Sequence, residues 1–442
     1  MRTGTTADGT IEHEHAMQRV LKAWIITGLL FMLLPGTFFG VWNLIGMSSG
    51  ETMMAIPPAW LQAHGHAQVF GWVGSFILGI GFYSLNKMAG NAPAGARAAW
   101  VSWALWTLGV GLRWWANITL HTWRIALPAS GLAELTAFMI FFRTVSRHKP
   151  AGAAGPSQPR PIWMKLVLLA NLGFAAALLD NLGLVMRTAL VSSTPAIATP
   201  ADQLFLTLVL WSFLVPLIWG FNARWMPVFL GLREPSARGL VAAWLMALGA
   251  VLAALLAGAW LLSGILAMAA SVTAALALHI PRRSERPPKT AGVHASFPFF
   301  ARLPYAWLLV ASALSILAPL ADRAGGIWGA SRHALTVGFV AAMVLVIGQR
   351  VLPAFCGMRV LFSQRLMFWS LALLNLGCLL RVGSEPLAYE GIWHAGWSVL
   401  PVSGMLELSG IVLFAANMFL TLARPPEHLR LHSIRPVGSR LS

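Results

Sequence analysis

The chain has 442 residues, of which 57% are hydrophobic and only 10% are charged, and its formal net charge at pH 7 is +17. A soluble domain cannot cover that much apolar surface, so the composition excludes an ordinary globular protein. The positive charge alone would suit nucleic-acid binding, but its distribution along the chain explains it differently.

Apolar segments of about 20 residues, the length that crosses a bilayer, recur along the whole chain. They predict twelve membrane spans, numbered in chain order: 22–43, 64–86, 98–119, 127–146, 163–187, 203–222, 238–257, 259–280, 304–321, 333–354, 366–383 and 401–423. Spans 7 and 8 form one long apolar run, which we divide between Ala257 and Gly258. The prediction is an all-α integral membrane protein with a single transmembrane domain, 1–442.

The positions of the basic residues orient these spans, because short loops rich in Lys and Arg stay in the cytoplasm. With both termini inside, all but six of the 31 Lys and Arg residues fall on the inner side. The orientation is therefore predicted as N-in and C-in, with cytoplasmic tails at 1–20 and 425–442. Nucleic-acid binding is not needed to explain the charge. The first twenty residues are polar, which predicts no removable signal peptide.

Two short motifs recur at an interval of four spans and predict an internal repeat. Spans 3, 7 and 11 share a Leu-Gly motif, and spans 4, 8 and 12 share a Ser-Gly motif. The motifs begin at Leu108, Leu248 and Leu376, and at Ser130, Ser263 and Ser403. The predicted fold is a threefold repeat of four-helix units, at about 20–148, 160–280 and 300–424.

Four ionisable residues occur at matching places in the first and third repeats, and the middle repeat has none of them. They are His66, Arg113, His121 and Glu134 in the first repeat and His333, Arg381, His394 and Glu407 in the third. In the predicted orientation all of them lie near the outer ends of spans 2–4 and 10–12. Ionisable groups inside a membrane are unfavourable unless they are paired or coordinated, so their grouping predicts a site.

Histidines on different helices at one depth can hold a metal ion or a haem between them. His66 and His333 are the predicted axial or metal ligands, with His121 and His394 as further cofactor-binding candidates. His64 precedes His66 by two residues and points to another side of the helix, as a supporting or separate metal ligand. The alternative for each of them is an ordinary histidine at a helix end or in an outer loop.

The arginines and glutamates of the two repeats fit the same interpretation. Arg113 and Arg381 are suited to bind haem propionates through paired hydrogen bonds. Glu134 and Glu407 would orient a histidine, balance an arginine or carry protons. The alternative is a set of purely structural ion pairs between helices.

Two segments carry a resemblance to a known family. Residues 64–71, HGHAQVFG, resemble the H-x-H-x-x-x-F-G segment of the NnrS family, and residues 332–338, RHALTVG, resemble its H-A-L-T-V-G segment. The resemblance implies a bacterial inner-membrane protein that contains haem b and copper and serves nitric oxide metabolism, detoxification, denitrification or the stress response. It also implies that His64, His66 and His333 belong to the metal site. The sequence departs from the family at Ala67 and Gln68, where Glu-Met is common.

The twelve spans, with histidines on spans 2 and 10, also resemble the catalytic subunit of haem–copper oxidases and nitric oxide reductases. In those proteins the copper ligands come from helices 6 and 7. Spans 6 and 7 of this chain contain no histidine, so an oxidase-type binuclear centre is not expected.

The predicted function is that of a haem-binding inner-membrane protein, embedded in the lipid bilayer. Its ligand would be nitric oxide or another small diatomic molecule, its electron donor is unknown, and whether it is a nitric-oxide-related oxidoreductase stays open. Two other classes remain. A secondary transporter also combines twelve helices with internal repeats, and an assembly protein would pass haem or copper to another complex.

Overall fold

The structure is a computed structural model that describes residues 7–88, 95–146, 160–357 and 360–424. The predicted tail at 425–442, and residues 1–6 of the other predicted tail, lie outside the described residues. Within the described ranges the chain forms twelve long helices and no strand.

The helices are labelled α1–α12 in chain order, and four of them consist of two α-helical parts joined by a π-helical segment. They are α1 (Ala7–Phe31, Met32–Phe38 and Phe39–Gly50), α2 (Pro58–His66, Ala67–Gly74 and Ser75–Met88), α3 (Ala96–Thr119), α4 (Trp123–Ser146), α5 (Ile162–Val191), α6 (Thr199–Leu208, Val209–Leu214 and Val215–Leu230), α7 (Ala237–Ala257), α8 (Trp260–Ala277), α9 (Phe297–Ala321), α10 (Gly326–His333, Ala334–Ala341 and Ala342–Phe355), α11 (Gln364–Tyr389) and α12 (Gly396–Ala423).

Eleven of these helices are long and apolar enough to cross a membrane, counting only described residues. The twelfth, α3, has 24 residues, and we attribute its lower hydropathy to its tryptophans and to Arg113. The predicted multi-pass, all-helical membrane protein is thereby confirmed. The division of the long apolar run is also confirmed, because α7 ends at Ala257 and Gly258 follows with a φ of 58°. A glycine reaches this left-handed conformation without the strain that a side chain would cause.

The first helix begins earlier than its predicted span. It starts at Ala7, so most of the segment predicted as a polar tail belongs to a helix. The reason is that Met17, Val20 and Leu21 pack into the apolar core, each at most 1% exposed, although polar residues lie between them. A helix can bury one apolar face while its other face stays polar.

The π-helical segments lie in α1, α2, α6 and α10. The last three of these helices are the second members of the three repeats. In α2 and α10 the segment begins directly after His66 and His333, respectively. A π-helical turn changes the direction of neighbouring side chains and carbonyl groups, and such turns are frequent at functional sites. The segments therefore mark the same depth in each repeat.

The Ser-Gly motif closes the bundle at three equivalent places. Gly131 of α4 packs against α5, Gly264 of α8 against α9, and Gly404 of α12 against α1. A Cβ on these glycines would lie 3.1 Å from Val185, 2.8 Å from Ser315 and 3.1 Å from Leu44, respectively. Because each repeat packs against the first helix of the next, and the third against the first, the twelve helices form a closed ring.

Candidate functional site

Two His–Glu pairs lie inside the bundle, a buried pair in the first repeat and a part-buried pair in the third. Nε2 of His66 lies 2.7 Å from Oε1 of Glu134, which links α2 to α4. Nε2 of His333 lies 2.7 Å from Oε1 of Glu407, which links α10 to α12. Asn181 of α5 also donates a hydrogen bond of 3.2 Å to Oε2 of Glu134. The structure thus places four of the predicted site residues in two equivalent pairs.

The Leu-Gly motif makes room for the two glutamates. A Cβ on Gly109 of α3 would lie 2.7 Å from Cγ of Glu134, and one on Gly377 of α11 would lie 2.6 Å from Cγ of Glu407. The glutamate side chains therefore run across the bare backbone of the neighbouring helix. In the middle repeat the corresponding residue of α8 is Ala267, so that repeat has the glycine motif but no buried acid.

His64 faces away from His66, and its contacts come from α1. Nδ1 of His64 lies 2.9 Å from the carbonyl oxygen of Gly36, in the π-helical segment of that helix. Because a carbonyl oxygen only accepts hydrogen bonds, Nδ1 carries the proton and Nε2 of the neutral ring has a free lone pair. Among the described residues no hydrogen bond involves Nε2. The ring also packs on Gly40, where a Cβ would lie 2.6 Å from Nδ1.

Electrostatic interactions connect His64 to the third repeat. The charged groups that act on it are His333, Glu407 and Arg381. These three charged groups come from α10, α11 and α12, whereas the hydrogen-bonded partner of His66 comes from the first repeat. The two histidines, two residues apart in sequence, thus contact different helices: His64 contacts α1 and His66 contacts α4.

Three arginines around these groups have buried nitrogen atoms without a partner among the described residues. Arg113 is 2% exposed, and its Nε and Nη1 make no hydrogen bond. Arg381 donates to both carboxylate oxygens of Glu385, at 3.1 and 3.0 Å, but its Nη1 stays unpaired. Arg332 donates to Gln203, and its Nε is unpaired. Unsatisfied buried guanidinium nitrogens are unfavourable, so this region suits additional carboxylate acceptors.

Two acidic residues of the site were missed by the sequence analysis. Asp202, in the first turn of α6, interacts electrostatically with Arg332, Arg113 and His66. Glu385, in the last part of α11, holds Arg381. Both lie one or two residues beyond the predicted spans, because the hydropathy criterion ends a span at a charge. A search for acids just outside the span ends would have found them.

His121 and His394 do not join the site, in contrast to the prediction. His121 is exposed in the turn between α3 and α4. His394 is 78% exposed and pairs with Glu51, itself 51% exposed, at 3.2 Å. Their positions lie beyond the helix ends, in outer turns where the side chains are exposed.

The donor groups fit a haem better than a protein-bound copper ion. No group of three His, Cys, Asp or Glu side chains capable of holding a metal occurs in the described parts of the chain. His66 and His333 already use Nε2 to bind glutamates. Of the three predicted metal ligands His64, His66 and His333, only His64 has an Nε2 without a hydrogen bond to a described residue. A haem needs one or two axial nitrogens and carboxylate partners, for which His64 and the unpaired arginine nitrogens are suited.

The overall arrangement is similar to that of a solved membrane oxidase. The chain superposes on a heme-copper terminal oxidase, determined as a dimer by cryo-EM, with a TM-score of 0.70 and 13% sequence identity, over 93% of this chain and 84% of that chain. At this identity the likeness establishes the fold. The protein is thus a multi-pass helical membrane protein with the fold of an oxidase subunit.

Residues 189–422 match the family model described as "Domain of unknown function (DUF8744)". The chain belongs to this family. Family models give no match to the NnrS family that the two sequence segments resemble. No curated protein matches the chain.

Proposed function

We propose that the protein is a haem-binding membrane protein that handles nitric oxide or another small diatomic molecule. The observation that carries the proposal is the state of His64. Its Nδ1 is fixed by the Gly36 carbonyl at 2.9 Å, and its Nε2 is free in a region rich in charged groups. A hydrogen bond on one ring nitrogen is the usual way in which a protein orients the other nitrogen toward a metal.

His64 and His333 would flank the haem between α2 and α10, and Arg113, Arg332 and Arg381 would bind its propionates. When bound, the haem would supply one-electron chemistry and a position for a diatomic ligand. The chain's own residues have other tasks. Glu407 fixes His333 through its 2.7 Å contact, and Glu134 fixes His66 in the same way.

Two further points support the proposal. The fold is similar to that of a heme-copper terminal oxidase, and segments 64–71 and 332–338 resemble those of a family linked to nitric oxide. Copper is not part of the proposal, because the described residues do not form a group of three metal-binding side chains. A bacterial cytoplasmic membrane, with both termini inside, agrees with the distribution of Lys and Arg.

The test is the haem content of the full-length protein, purified in detergent after expression with ample haem. We expect a reduced-minus-oxidised spectrum typical of haem b, which changes when nitric oxide is added to the reduced protein. His64→Ala should lose most of the haem. The matched controls His121→Ala and His394→Ala, which replace exposed histidines, should keep it. Full-length protein that is folded but free of haem would contradict the proposal, and substrate uptake by vesicles of such protein would favour a transporter.

A further inference from the structure

We infer that His64 is the only axial ligand of this haem, so that the iron keeps an open position for a diatomic ligand on the side of His333. The inference rests on the proposed function, because it concerns the same haem. It replaces the expectation from sequence, in which His66 and His333 were the axial ligands.

The first argument is the availability of Nε2 in the three histidines His64, His66 and His333. In His66 and His333 this nitrogen lies 2.7 Å from a glutamate oxygen. Using it for iron would take the histidine partner away from Glu134 or Glu407, and would leave Glu134 with the neutral amide of Asn181 as its remaining partner, which is unfavourable for a carboxylate inside the bundle. In His64 no described residue forms a hydrogen bond with Nε2. The hydrogen-bond pattern therefore leaves one suitable nitrogen.

The second argument is the fixed orientation of the histidine rings. The His64 ring is held by the Gly36 carbonyl and by its contact with Gly40. The His66 ring is stacked on Phe70, with ring centres 4.5 Å apart and an angle of 10° between the planes. His66 cannot turn toward the third repeat without losing both this stacking and Glu134.

The third argument concerns Nδ1, the remaining nitrogen of His333. Nδ1 is bonded to the ring carbon that carries the side-chain Cβ, so a planar macrocycle bound there would crowd the backbone of α10. We therefore assign His333 a different task. Together with Glu407 and Arg381, which all act electrostatically on His64, it would form the polar surroundings of a ligand bound opposite His64.

The chemical class of ligand follows from this arrangement. A haem with two histidine ligands transfers electrons but binds no further molecule until one ligand leaves. A haem with one histidine ligand accepts a neutral diatomic molecule at the free position. The geometry thus favours a ligand-binding haem over an electron-transfer haem.

The experiment uses carbon monoxide as the probe, with the purified full-length protein in its haem-bound form. We expect a high-spin ferric EPR signal, and a ferrous spectrum that shifts on addition of carbon monoxide with one carbon monoxide bound per haem. His333→Ala should keep its haem and its high-spin signal. A low-spin ferric signal without carbon monoxide binding, or a change from low to high spin in His333→Ala, would overturn the inference while the proposed function stood.

Two variants test the role of His64 directly. Gly40→Ala should push the His64 ring aside and lower the haem affinity by roughly 10–100-fold, as loss of a supporting contact to a metal ligand does. The matched control is Gly65→Ala, next to His64 on the same helix, where an added Cβ meets nothing within 4 Å and the haem affinity should not change. His64→Gly should lose haem and regain it with added imidazole. Equal haem affinity in Gly40→Ala and Gly65→Ala would contradict ligation by His64.

Discussion

His333 and Glu407 join α10 to α12 through a contact of 2.7 Å between Nε2 and Oε1. The same contact, at the same distance, joins His66 of α2 to Glu134 of α4. The two pairs differ in burial, since the His66 and Glu134 side chains are 4% and 0% exposed, and those of His333 and Glu407 are 23% and 10% exposed. The same His–Glu contact therefore occurs at two levels of solvent exposure, so the effect of burial on its contribution to stability can be measured directly.

Glu134→Ala should therefore destabilise the protein more than Glu407→Ala. Removing Glu134 leaves His66 and Asn181 without their buried partner, and we expect a loss on the order of 3 kcal/mol in the free energy of unfolding. Unfolding in detergent, followed by intrinsic fluorescence, measures the difference. The isosteric controls Glu134→Gln and Glu407→Gln should retain part of the stability, and equal losses in the two alanine variants would show that burial does not set the effect.

Replacing Arg113 and Arg381 by leucine should have unequal effects on the haem-free protein. Arg113 offsets the charges of Glu134 and Asp202 but has two unpaired buried nitrogens, so its replacement by an apolar side chain should lower thermal stability less than that of Arg381. Arg381 is bound to both oxygens of Glu385, so its replacement leaves a buried carboxylate unpaired and should lower stability. Melting temperatures of haem-free samples test this pair. Both variants should also retain less haem, and unchanged haem content in both would argue against propionate binding by these residues.

The glycines that close the ring should not tolerate alanine equally. An added Cβ on Gly264 would lie within 2.9 Å of the backbone of Ser315 and Ile316, and backbone cannot easily move aside. On Gly131 or Gly404 it would meet side-chain atoms at 3.1 Å or more. Gly264→Ala should lower the free energy of unfolding by about 1–3 kcal/mol, and the other two should change it less. Size-exclusion profiles after heating rank the three variants, and a larger effect at Gly131 or Gly404 would be inconsistent with this packing.

Glu390 should make the outer end of the bundle sensitive to acid. Its Oε1 accepts hydrogen bonds from the backbone N–H groups of Arg323 and Ala324, at 2.8 and 3.0 Å, and these bonds hold the pKa of Glu390 below its ordinary value of 4.5. A depressed pKa in the folded state adds stability above 4.5 that is lost as the pH falls through the lowered pKa.

Thermal melts from neutral pH to below 4.5 should therefore show an acid-induced decrease that is smaller in Glu390→Gln. The control is Glu51→Gln, which replaces an exposed carboxylate that pairs only with a histidine in the outer loops. Identical acid profiles of the wild type and Glu390→Gln would show that the two backbone hydrogen bonds do not contribute.

The sequence was sufficient to predict the helical membrane architecture, because a membrane span is recognised by the summed hydropathy of about 20 residues and no single residue decides it. Twelve apolar segments identify twelve helices whatever their packing, and the break at Gly258 follows from the length of one crossing. The sequence also placed His66 and Glu134 in one predicted site, because the same two residue types recur at matching positions in the first and third repeats. Hydropathy could not find Asp202 and Glu385, since it excludes charged residues by construction.

The choice between His64 and His66 was beyond the sequence for a different reason. Both precede the π-helical segment of α2, and their spacing shows only that they point in different directions. Which nitrogen is free depends on the Gly36 carbonyl of α1 and on the carboxylate of Glu134, two groups that come from other helices. His121 and His394 show the converse error, in which the sequence predicts a site residue that the structure places elsewhere. Matching positions in a repeat do not establish that a residue lies within a helix.

The closure of the ring by Gly404 has a consequence for how the protein is made. Translation produces α1 well before α12, so the contact between these two helices at Gly404 forms only after α12 has been made. Glu407, the partner of His333, belongs to the same helix, α12. The site between α2, α10 and α12 is therefore completed only after α12 enters the membrane, and the proposed haem would be held by all three helices only from that point.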